Sequence, residues 1–423
     1  MTRQTLGLMA LICACAAFSA VRFWGVNSPD LLATWMAGVS FARGDHSAVY
    51  PQLGEVFTMR PPEAWITELR SDGYDGAIFP FIYPPLWAWV TGHFSRLAEY
   101  ENFVRVATVV NPVLLGLTLW LAARLAAGRL GAMAFVAIGV VLFASTTIVL
   151  GALEQNQPQI LVAFLTVLAI ERTRSGAAVT GGVALAIAAS LKLYPALFAL
   201  FWLARGERRA AASFALAGAG LGLLSIAVAG WPLHAEFLAQ IRTISNTVLV
   251  TVFSHSADPV LGQFVFPANL TPVESLASGA PGGWLVMAKP PVWAALNTAA
   301  ILVALAGLAA LARSRFGADP LFWPLAITVI ALLSPLSWGY HYIAAIAFVP
   351  ALIDRLGSGP GLVTCLVLLA PTSVPYVFSD LPVLAFDAYA GLLGTLAMAL
   401  YAALLLAMIT GRLPVRREAL APA

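Results

Sequence analysis

The candidates for chemistry are a few polar side chains in a chain that is otherwise strongly apolar. Asp30 follows the first apolar segment, in the sequence Asn27-Ser28-Pro29-Asp30. A carboxylate at the mouth of a membrane, held by a polar loop, is suited to act as a general base on a lipid-linked substrate. The alternative is a structural role, in which Asp30 caps a helix that begins at Pro29.

Two basic side chains lie next to apolar sequence, where an unpaired charge is costly. Lys192 follows an apolar stretch that ends at Leu191, and a phosphate or carboxylate ligand would offset its cost. His341, between Tyr340 and Tyr342, could donate a hydrogen bond to a phosphate or relay a proton. The alternatives are that Lys192 extends to the membrane interface and that His341 is an ordinary interfacial histidine.

Amide and tyrosine side chains form the third group of candidates. The run Gln155-Asn156-Gln157, preceded by Glu154, separates two apolar segments. Because amides both donate and accept hydrogen bonds, they suit the hydroxyl groups of a sugar; a short polar turn is the alternative. Tyr83 precedes Pro84-Pro85 and could line the same site, or the prolines could simply start a helix.

The elements that position these residues are expected to be transmembrane helices. Hydrophobic residues make up 60% of the chain and charged residues 10%, whereas a soluble domain carries about a quarter charged residues. The mean hydropathy is +0.86. Apolar runs of about 20 residues, long enough to cross ~30 Å of hydrocarbon, recur along the chain. We therefore expect one all-α polytopic integral membrane domain over residues 1–423.

Basic clusters predict the topology, because Arg and Lys favour the cytoplasmic side of a membrane. The clusters begin at Arg172, Arg205, Arg313 and Arg412. Placing them inside puts two long polar loops on the extracytoplasmic side, over residues 25–77 and 231–290. Arg124 and Arg129 contradict this arrangement if segment 79–97 crosses the membrane fully.

Segment 176–204 is too short for two full spans, yet basic clusters flank it on both sides. Each arm of about 15 residues would rise ~22 Å as a helix, which is less than the hydrocarbon thickness. The pattern favours a broken hairpin with Lys192-Leu193-Tyr194-Pro195 near its apex, because Pro195 interrupts a helix. The alternative is one long tilted helix.

Composition and motifs also exclude some functions. The net charge of +3 is scattered in short clusters and forms no basic face, so nucleic acid is not an expected partner. No His, Cys and Asp residues have the spacing of a metal site, and no Gly-rich loop suggests a nucleotide cofactor. Arg3 and the apolar stretch after it could be a signal peptide, but we favour an uncleaved first span.

Taken together, the motifs resemble the polytopic glycosyltransferases of the GT-C fold. The closest resemblance is to glycosyltransferase family 87, the polyprenyl-phosphate-mannose-dependent mannosyltransferases. The resemblance rests on the order of Asp30, Trp35 to Gly38, Val49-Tyr50-Pro51, Tyr83-Pro84-Pro85, Gln155-Asn156-Gln157, Lys192 to Pro195 and Ser334 to Tyr342. This chain departs from the family at Glu154, where Gly is usual, and at Ser254-His255-Ser256, where an Asn-Gln-Ser element is frequent.

The resemblance implies a bundle of about 11 to 13 transmembrane helices. It also implies inverting transfer of a sugar, mannose in the family, from a polyprenyl phosphate donor to a lipid or glycan acceptor, with no metal or other cofactor. The implied site residues are Asp30 as general base, Lys192 and His341 on the donor phosphate, and Tyr83, Gln155, Asn156, Gln157, Tyr194 and Tyr342 on the substrates. The site would face the extracytoplasmic side of a bacterial inner membrane, among membrane lipids.

The main alternative function is a polytopic lipid or solute transporter or flippase. Such a protein would use Lys192 and the broken hairpin as a binding site near the middle of the membrane, and it should show an internal repeat. The two halves of this chain show no convincing repeat, which favours the transferase.

Overall fold

The computed structural model describes residues 3–53, 59–273, 284–377 and 386–413. These residues fold mainly as helices, with little strand, which confirms the prediction of an all-α polytopic membrane protein. Among them, five helices are long and apolar enough to cross a membrane, or six if one bent helix pair is counted as a span. The predicted total of about 11 to 13 spans stays a prediction.

The helices and strands are numbered in chain order. The helices are α1 (Arg3–Arg22), α2 (Pro29–Ala42), α3 (Glu63–Ser71), α4 (Pro85–Phe94), α5 (Tyr100–Ala126), α6 (Gly131–Ala144), α7 (Thr147–Glu154), α8 (Gln159–Arg174), α9 (Ala178–Leu191), α10 (Phe198–Arg205), α11 (Arg208–Ser245), α12 (Ala257–Val265), α13 (Pro291–Arg313), α14 (Phe322–Leu333), α15 (Ile343–Ile346), α16 (Ala351–Leu356), α17 (Ser358–Val377) and α18 (Phe386–Ile409). The strands are β1 (Thr247–Val250), β2 (Thr271–Pro272) and β3 (Leu285–Ala288), which form an antiparallel sheet in the order β1-β3-β2.

The first helix packs into the bundle, as expected for a span. The buried residues of α1 are Leu8, Ile12, Ala16 and Ala20, one per helical turn, and they form the stripe that a helix presents to a neighbour. Ile12 packs on Gly116 of α5, where an added Cβ would lie 2.6 Å from the isoleucine side chain. The small residue therefore allows α1 and α5 to approach closely.

Segment 79–97 does not cross the membrane fully. Its helix, α4, has 10 residues and rises only ~15 Å. The next helix, α5, begins at Tyr100, whose hydroxyl donates to the backbone carbonyl of Ser28 (3.0 Å). Near its other end, Arg124 pairs with Glu171 (2.8 Å), the neighbour of Arg172. Arg124 therefore lies at the same end of the bundle as the cluster at Arg172, and the topological conflict disappears.

Three further basic side chains, Arg174, Arg205 and Arg355, lie close together at this same end. Arg174 donates to the backbone carbonyl of Ala318 (3.0 Å) and Arg205 donates to that of Gly317. Arg355 pairs with Asp319 (2.8 Å) in the same region. Residues 414–423, which hold most of the predicted C-terminal cluster, lie outside the described residues.

Segment 176–204 forms the predicted broken hairpin. Helix α9 ends at Leu191, Lys192 is extended (φ −139°, ψ 136°), and a 3₁₀ turn over Tyr194–Leu197 leads into α10. The contacts of Arg174 and Arg205 with residues 317 and 318 bring the two open ends of the hairpin together. Lys192 therefore lies at the apex, on the opposite end of the bundle from the basic clusters.

Helix α11 consists of two helices joined at Gly230. The glycine has φ 75° and ψ 157°, a conformation that side chains disfavour. The imidazole of His234 bridges the break, with Nε2 2.8 Å from Ser225 Oγ and Nδ1 2.7 Å from the carbonyl of Gly230. Residues 231–245, which open the second polar stretch, are therefore helical up to Ser245.

Two sets of contacts fix residues 251–258, which follow β1 in that stretch. Strand β1 leads to Ser254, which forms an isolated β-bridge with Trp338. Further on, Asp258 forms a buried ion pair with Lys289 and accepts a hydrogen bond from Trp293 Nε1 (3.0 Å). The first contact holds Ser254 against the loop that follows α14, and the second set holds Asp258 against the start of α13.

Candidate active site

Asp30 lies in the first turn of α2, at the end of the bundle opposite the basic clusters. Pro29 occupies the first helical position, and the cap residue, Ser28, makes no side-chain capping bond. The Asp30 carboxylate does not cap the helix; its Oδ2 accepts a hydrogen bond from Gln157 Nε2 (2.5 Å). A carboxylate in the first helical turn is also favoured by the helix dipole.

A close approach of α2 and α4 fixes the position of this turn. A Cβ on Gly38 would lie 2.7 Å from the backbone nitrogen of Gly92, and one on Gly92 would lie 2.8 Å from the carbonyl of Gly38. Both distances are too short for a side chain, so only glycine permits this contact. Only Pro84 separates Tyr83 from the start of α4, so the contact holds Tyr83 and Asp30 in one unit.

Gln157 connects Asp30 to Tyr83. The Tyr83 hydroxyl donates to Gln157 Oε1 (3.0 Å), and the Tyr50 hydroxyl donates to the backbone carbonyl of Tyr83 (2.7 Å). Because Oε1 accepts from the tyrosine, the amide group must present its Nε2 donor to the carboxylate. This chain of hydrogen bonds from Tyr83 through Gln157 orients Asp30. The other carboxylate oxygen, Oδ1, can then contact a substrate.

The pKa of Asp30 is raised to about 6, mainly because the carboxyl group is buried. The hydrogen bond from Gln157 and the positive charge of Lys192 act in the opposite direction. Asp30 is therefore ionised at neutral pH but binds a proton more strongly than an exposed aspartate. Both properties suit a general base.

Lys192 and His341 form a basic pair beside Tyr83. Lys192 Nζ lies 3.2 Å from His341 Nε2, and it lies 5.6 Å and 5.0 Å from the ring centres of Tyr83 and Tyr340. The ring faces partly compensate the ammonium charge. Because Lys192 can only donate, His341 accepts at Nε2 and keeps its proton on Nδ1, which lies 3.4 Å from Ser337 Oγ.

Two cavities meet at the site. The first, with about 1030 Å³ of empty space, is lined by Asp30, Glu154, Gln155, Gln157 and His255 together with aromatic and apolar residues. The second, with about 820 Å³, is lined by Lys192, Tyr194 and His341 and by apolar residues of α11 and of the loop after α14. Four residues line both cavities: Ile82, Tyr83, Trp338 and Tyr340.

An apolar groove continues from the second cavity. It shares Tyr194, Ser334 and Pro335 with that cavity and runs between α13 and α14 past Ile301, Leu305 and Ile330. The groove has about 490 Å³ of empty space, and its lining is almost entirely hydrocarbon. Helix α13 is the least buried of the candidate spans, so this groove lies at the periphery of the bundle.

The structure brings most of the predicted site residues together. Asp30, Tyr83, Gln155 and Gln157 line the first cavity, and Tyr83, Lys192, Tyr194 and His341 line the second. Tyr194 is held by Gln159, whose Nε2 donates to its hydroxyl (2.7 Å). These residues come from α2, the stretch before α4, the amide run between α7 and α8, the hairpin apex and the turn after α14, which are far apart in the chain.

Two of the predicted residues lie behind the cavities. Asn156 has a positive φ of 44°, and its amide contacts Ser28, Thr108 and Asn111 at 2.9 to 3.1 Å. Tyr342 is fully buried, and its hydroxyl donates to the backbone carbonyl of His255 (2.5 Å). Both side chains brace the site, and a substrate contact for either of them stays a prediction.

Three further residues of the first cavity, Glu154, His255 and Trp284, were absent from the predicted set. Glu154 and His255 stand at the two positions where the sequence was expected to depart from the family, which was the available signal. Trp284 had no such signal. It follows a polar stretch in the sequence, and only its contacts with residues distant in the chain bring it to the cavity. Among the described residues, no three His, Cys, Asp or Glu side chains are arranged to hold a metal ion.

The comparisons with known proteins agree with the geometry. The model of glycosyltransferase family 87 matches residues 81–335. This range holds Tyr83, the amide run and Lys192, whereas Asp30 and His341 lie outside it. A search of curated proteins found no match.

Proposed function

The chain belongs to glycosyltransferase family 87, and from this premise we propose that it moves a sugar, mannose, from a polyprenyl phosphate to a lipid or glycan acceptor with inversion. The observation that supports the proposal is that an acidic cavity and a basic cavity meet. One contains the Asp30 carboxylate, and the other contains the Lys192–His341 pair. A base and a phosphate site are the two groups that this reaction requires.

The reaction occurs where the cavities meet. The acceptor hydroxyl lies in the first cavity, and Asp30 removes its proton as the oxygen forms a bond to the anomeric carbon. The bond from that carbon to the phosphate oxygen breaks on the opposite face, and the electron pair leaves with the polyprenyl phosphate. Attack opposite to the leaving group inverts the anomeric centre.

Lys192 stabilises the leaving phosphate, and His341 positions the ammonium group by accepting a hydrogen bond from it at Nε2. Negative charge develops on the bridging oxygen as the bond breaks, and donors that are already in position stabilise it without reorganisation. Lys192 supplies an ammonium group, and the ring of Tyr194 lies 6.0 Å from that of His341. This arrangement gives the phosphate cationic and polar partners in an apolar setting, where such contacts are strong.

The apolar groove accommodates the lipid of the donor. It begins beside Tyr194 and Pro335, next to the phosphate partners, and continues along α13 toward the periphery of the bundle. A polyprenyl chain entering from the bilayer could stay in hydrocarbon along this route while its phosphate reaches Lys192. Burial of each CH₂ group contributes about 0.8 kcal/mol, so the groove also supplies donor affinity.

The distribution of charge supports an extracytoplasmic site. Arg124, Arg172, Arg174 and Arg205 lie at one end of the bundle, and Asp30 lies at the other. Because basic residues favour the cytoplasmic side, the site faces away from the cytoplasm. A bacterial inner membrane suits a protein of this type.

Sugar transfer by the purified chain in lipid tests the proposal. The assay supplies polyprenyl phosphate mannose and, in parallel, another polyprenyl phosphate sugar, each with a panel of extracted acceptors. We expect transfer from the mannose donor, with release of polyprenyl phosphate, and loss of transfer in the Asp30→Asn variant. The configuration of the new bond, read by NMR, checks the inversion.

The same preparation separates the alternatives. Transfer from only the other sugar donor would support the transferase reaction but refute mannose as the sugar that is transferred. If no donor supports transfer and the protein moves a fluorescent polyprenyl phosphate across the bilayer, the protein is a flippase and not a transferase.

A further inference from the structure

We propose that Tyr340 binds the transferred sugar through its hydroxyl group and positions Lys192 through its ring. This inference rests on the proposed function, because it places the sugar between Asp30 and Lys192. Tyr340 was not among the predicted site residues, although its neighbours His341 and Tyr342 were. Three features support the inference: the place of Tyr340 between the cavities, its hydroxyl group and the contact of its ring with Lys192.

Tyr340 lies where the two cavities meet, and it is one of the four residues that line both of them. In the proposed reaction, the reacting carbon of the sugar lies between the attacking oxygen, beside Asp30, and the leaving oxygen, beside Lys192. A side chain that lines both cavities is therefore in a position to contact the sugar itself.

The hydroxyl group of Tyr340 has no hydrogen-bond partner among the described residues. The hydroxyl group of Tyr83, at the same junction, already donates to Gln157 Oε1 (3.0 Å). Tyr340 is only partly exposed, and the hydroxyl group of a buried tyrosine usually has a partner. A hydroxyl group of the sugar can supply that partner, because it accepts hydrogen bonds as well as donating them.

The phenol of Tyr340 keeps its proton, so it remains a hydrogen-bond donor. Tyr340 lies in the turn after α14, outside the membrane-spanning segments. Burial raises the pKa of Tyr340 well above its usual value, and the neighbouring Asp30 and Tyr83 raise it further. A neutral phenol can therefore donate to the sugar without competing with Asp30 for the proton of the acceptor.

The ring of Tyr340 contacts the ammonium group of Lys192. The distance from Nζ to the ring centre is 5.0 Å, and the distance from Nζ to the ring centre of Tyr83 is 5.6 Å. Both lie within the range of about 6 Å over which a ring face attracts a cation. The ring of His341, which accepts from Nζ, meets that of Tyr340 edge to face at 5.2 Å. Tyr340 therefore contacts both members of the basic pair.

The turn that contains Tyr340 is fixed by its neighbours. The backbone nitrogen of Gly339 donates to the carbonyl of Phe253 (2.8 Å). The ring of His255 lies in a slot between Gly339 and Gly394, where added Cβ atoms would lie 3.1 Å and 2.5 Å from it. A side chain at either glycine would displace the imidazole. The phenol is therefore held in place before a substrate binds, which lowers the cost of ordering it.

Binding of two matched donor analogues tests the inference. The full chain in lipid nanodiscs is titrated by calorimetry with geranyl phosphate and with geranyl phosphate mannose, which differ by the sugar. Tyr340→Phe keeps the ring and removes the hydroxyl group. We expect this variant to bind geranyl phosphate mannose about threefold to tenfold more weakly, with an unchanged Kd for geranyl phosphate. An equal change for both ligands, or no change for either, would overturn the contact with the sugar.

A second substitution tests the ring. Tyr340→Leu should weaken geranyl phosphate by about tenfold or more, because Lys192 loses its ring contact. The same substitution in a Lys192→Met background should cause no further loss, because the ring acts through the ammonium group. An unchanged Kd in Tyr340→Leu, or a further loss in the double variant, would overturn the positioning of Lys192. Tyr389→Phe, at an exposed tyrosine, is the matched control.

Melting temperatures of all variants are measured in parallel. If Tyr340→Leu does not fold, the conservative Tyr340→Phe variant still tests the contact with the sugar, because the two ligands are compared on one protein. A defect in folding alone would weaken both ligands and would not distinguish between them.

The binding measurement separates this inference from the proposed function. Binding of geranyl phosphate mannose that depends on the Tyr340 hydroxyl, without sugar transfer to any acceptor, would support the site at Tyr340 and refute the transferase. Transfer by Tyr340→Phe with the kcat/KM and the Kd of the wild type would support the transferase and refute the role of the hydroxyl group.

Discussion

Replacing Asp30 by asparagine should strongly slow sugar transfer while making the protein more stable. Asparagine has nearly the same shape, and its side-chain oxygen can still accept the hydrogen bond from Gln157 Nε2. The variant therefore keeps the hydrogen bonds that connect position 30 through Gln157 to Tyr83, but it loses the carboxylate that acts as the base. General-base catalysis contributes about 10² to 10⁴ in rate, so kcat/KM should fall by that factor with little change in donor affinity.

The gain in stability follows from the raised pKa of Asp30. Below pH 3.8 the carboxyl group is protonated in both the folded and the unfolded chain, so it causes no difference. Between pH 3.8 and about 6 the unfolded chain loses the proton first, and the folded state loses stability as the pH rises. Above about pH 6 the penalty is complete, at about 3 kcal/mol. Asp30→Asn removes it.

Two measurements check this reasoning. The melting temperature of Asp30→Asn should exceed that of the wild type at pH 8, and the difference should shrink as the pH falls below 6. In the wild type, kcat/KM should rise with pH through an apparent pKa of about 6. Asp72→Asn, at an exposed position, is the matched control. A variant that transfers sugar at the wild-type rate, or that melts at a lower temperature than the wild type, would return Asp30 to a structural role.

Three other substitutions test separate parts of the site. Lys192→Met should lower kcat by about 10² to 10³ and raise the KM for the donor, because the leaving phosphate loses its ammonium partner; an unchanged KM would argue against phosphate binding. Tyr83→Phe removes the bond that orients Gln157 and should lower kcat by about tenfold with the fold intact, as measured by transfer and melting. Lys289→Met leaves Asp258 buried and unpaired, so it should destabilise the fold by about 3–5 kcal/mol in thermal unfolding, and the added change Asp258→Leu should recover most of this loss.

Much of the architecture could be predicted from the sequence because it depends on length and polarity. The arms around Lys192 are too short to cross the membrane separately, and Pro195 cannot continue a helix, so the hairpin was predictable. Segment 79–97 contains enough apolar residues for a span, but its helix starts only at Pro85. The stretch from Phe79 to Pro84 folds as irregular chain that lines the site, and hydropathy does not distinguish the two arrangements.

The arrangement of the amide run could not be predicted, because it depends on one backbone angle. Gln155, Asn156 and Gln157 have similar chemistry, so the sequence marks all three as candidates. The positive φ of Asn156 turns its side chain toward Thr108 and leaves Gln157 for Asp30. His255 was hidden for another reason: its slot is formed by Gly339 and Gly394, which lie 84 and 139 residues further along the chain.

The positions of Asp30 and Lys192 on either side of Tyr83 have an electrical consequence. In the proposed reaction, the negative charge of Asp30 lies on the acceptor side of the reacting carbon and the positive charge of Lys192 lies on the side of the departing phosphate. The field between them points from Lys192 toward Asp30, and because electrons move against a field, it drives the electron pair from the attacking oxygen toward the leaving group. In an apolar site this field is weakly screened. The opposite charges of the two cavities therefore favour sugar transfer in the direction from the phosphate to the acceptor.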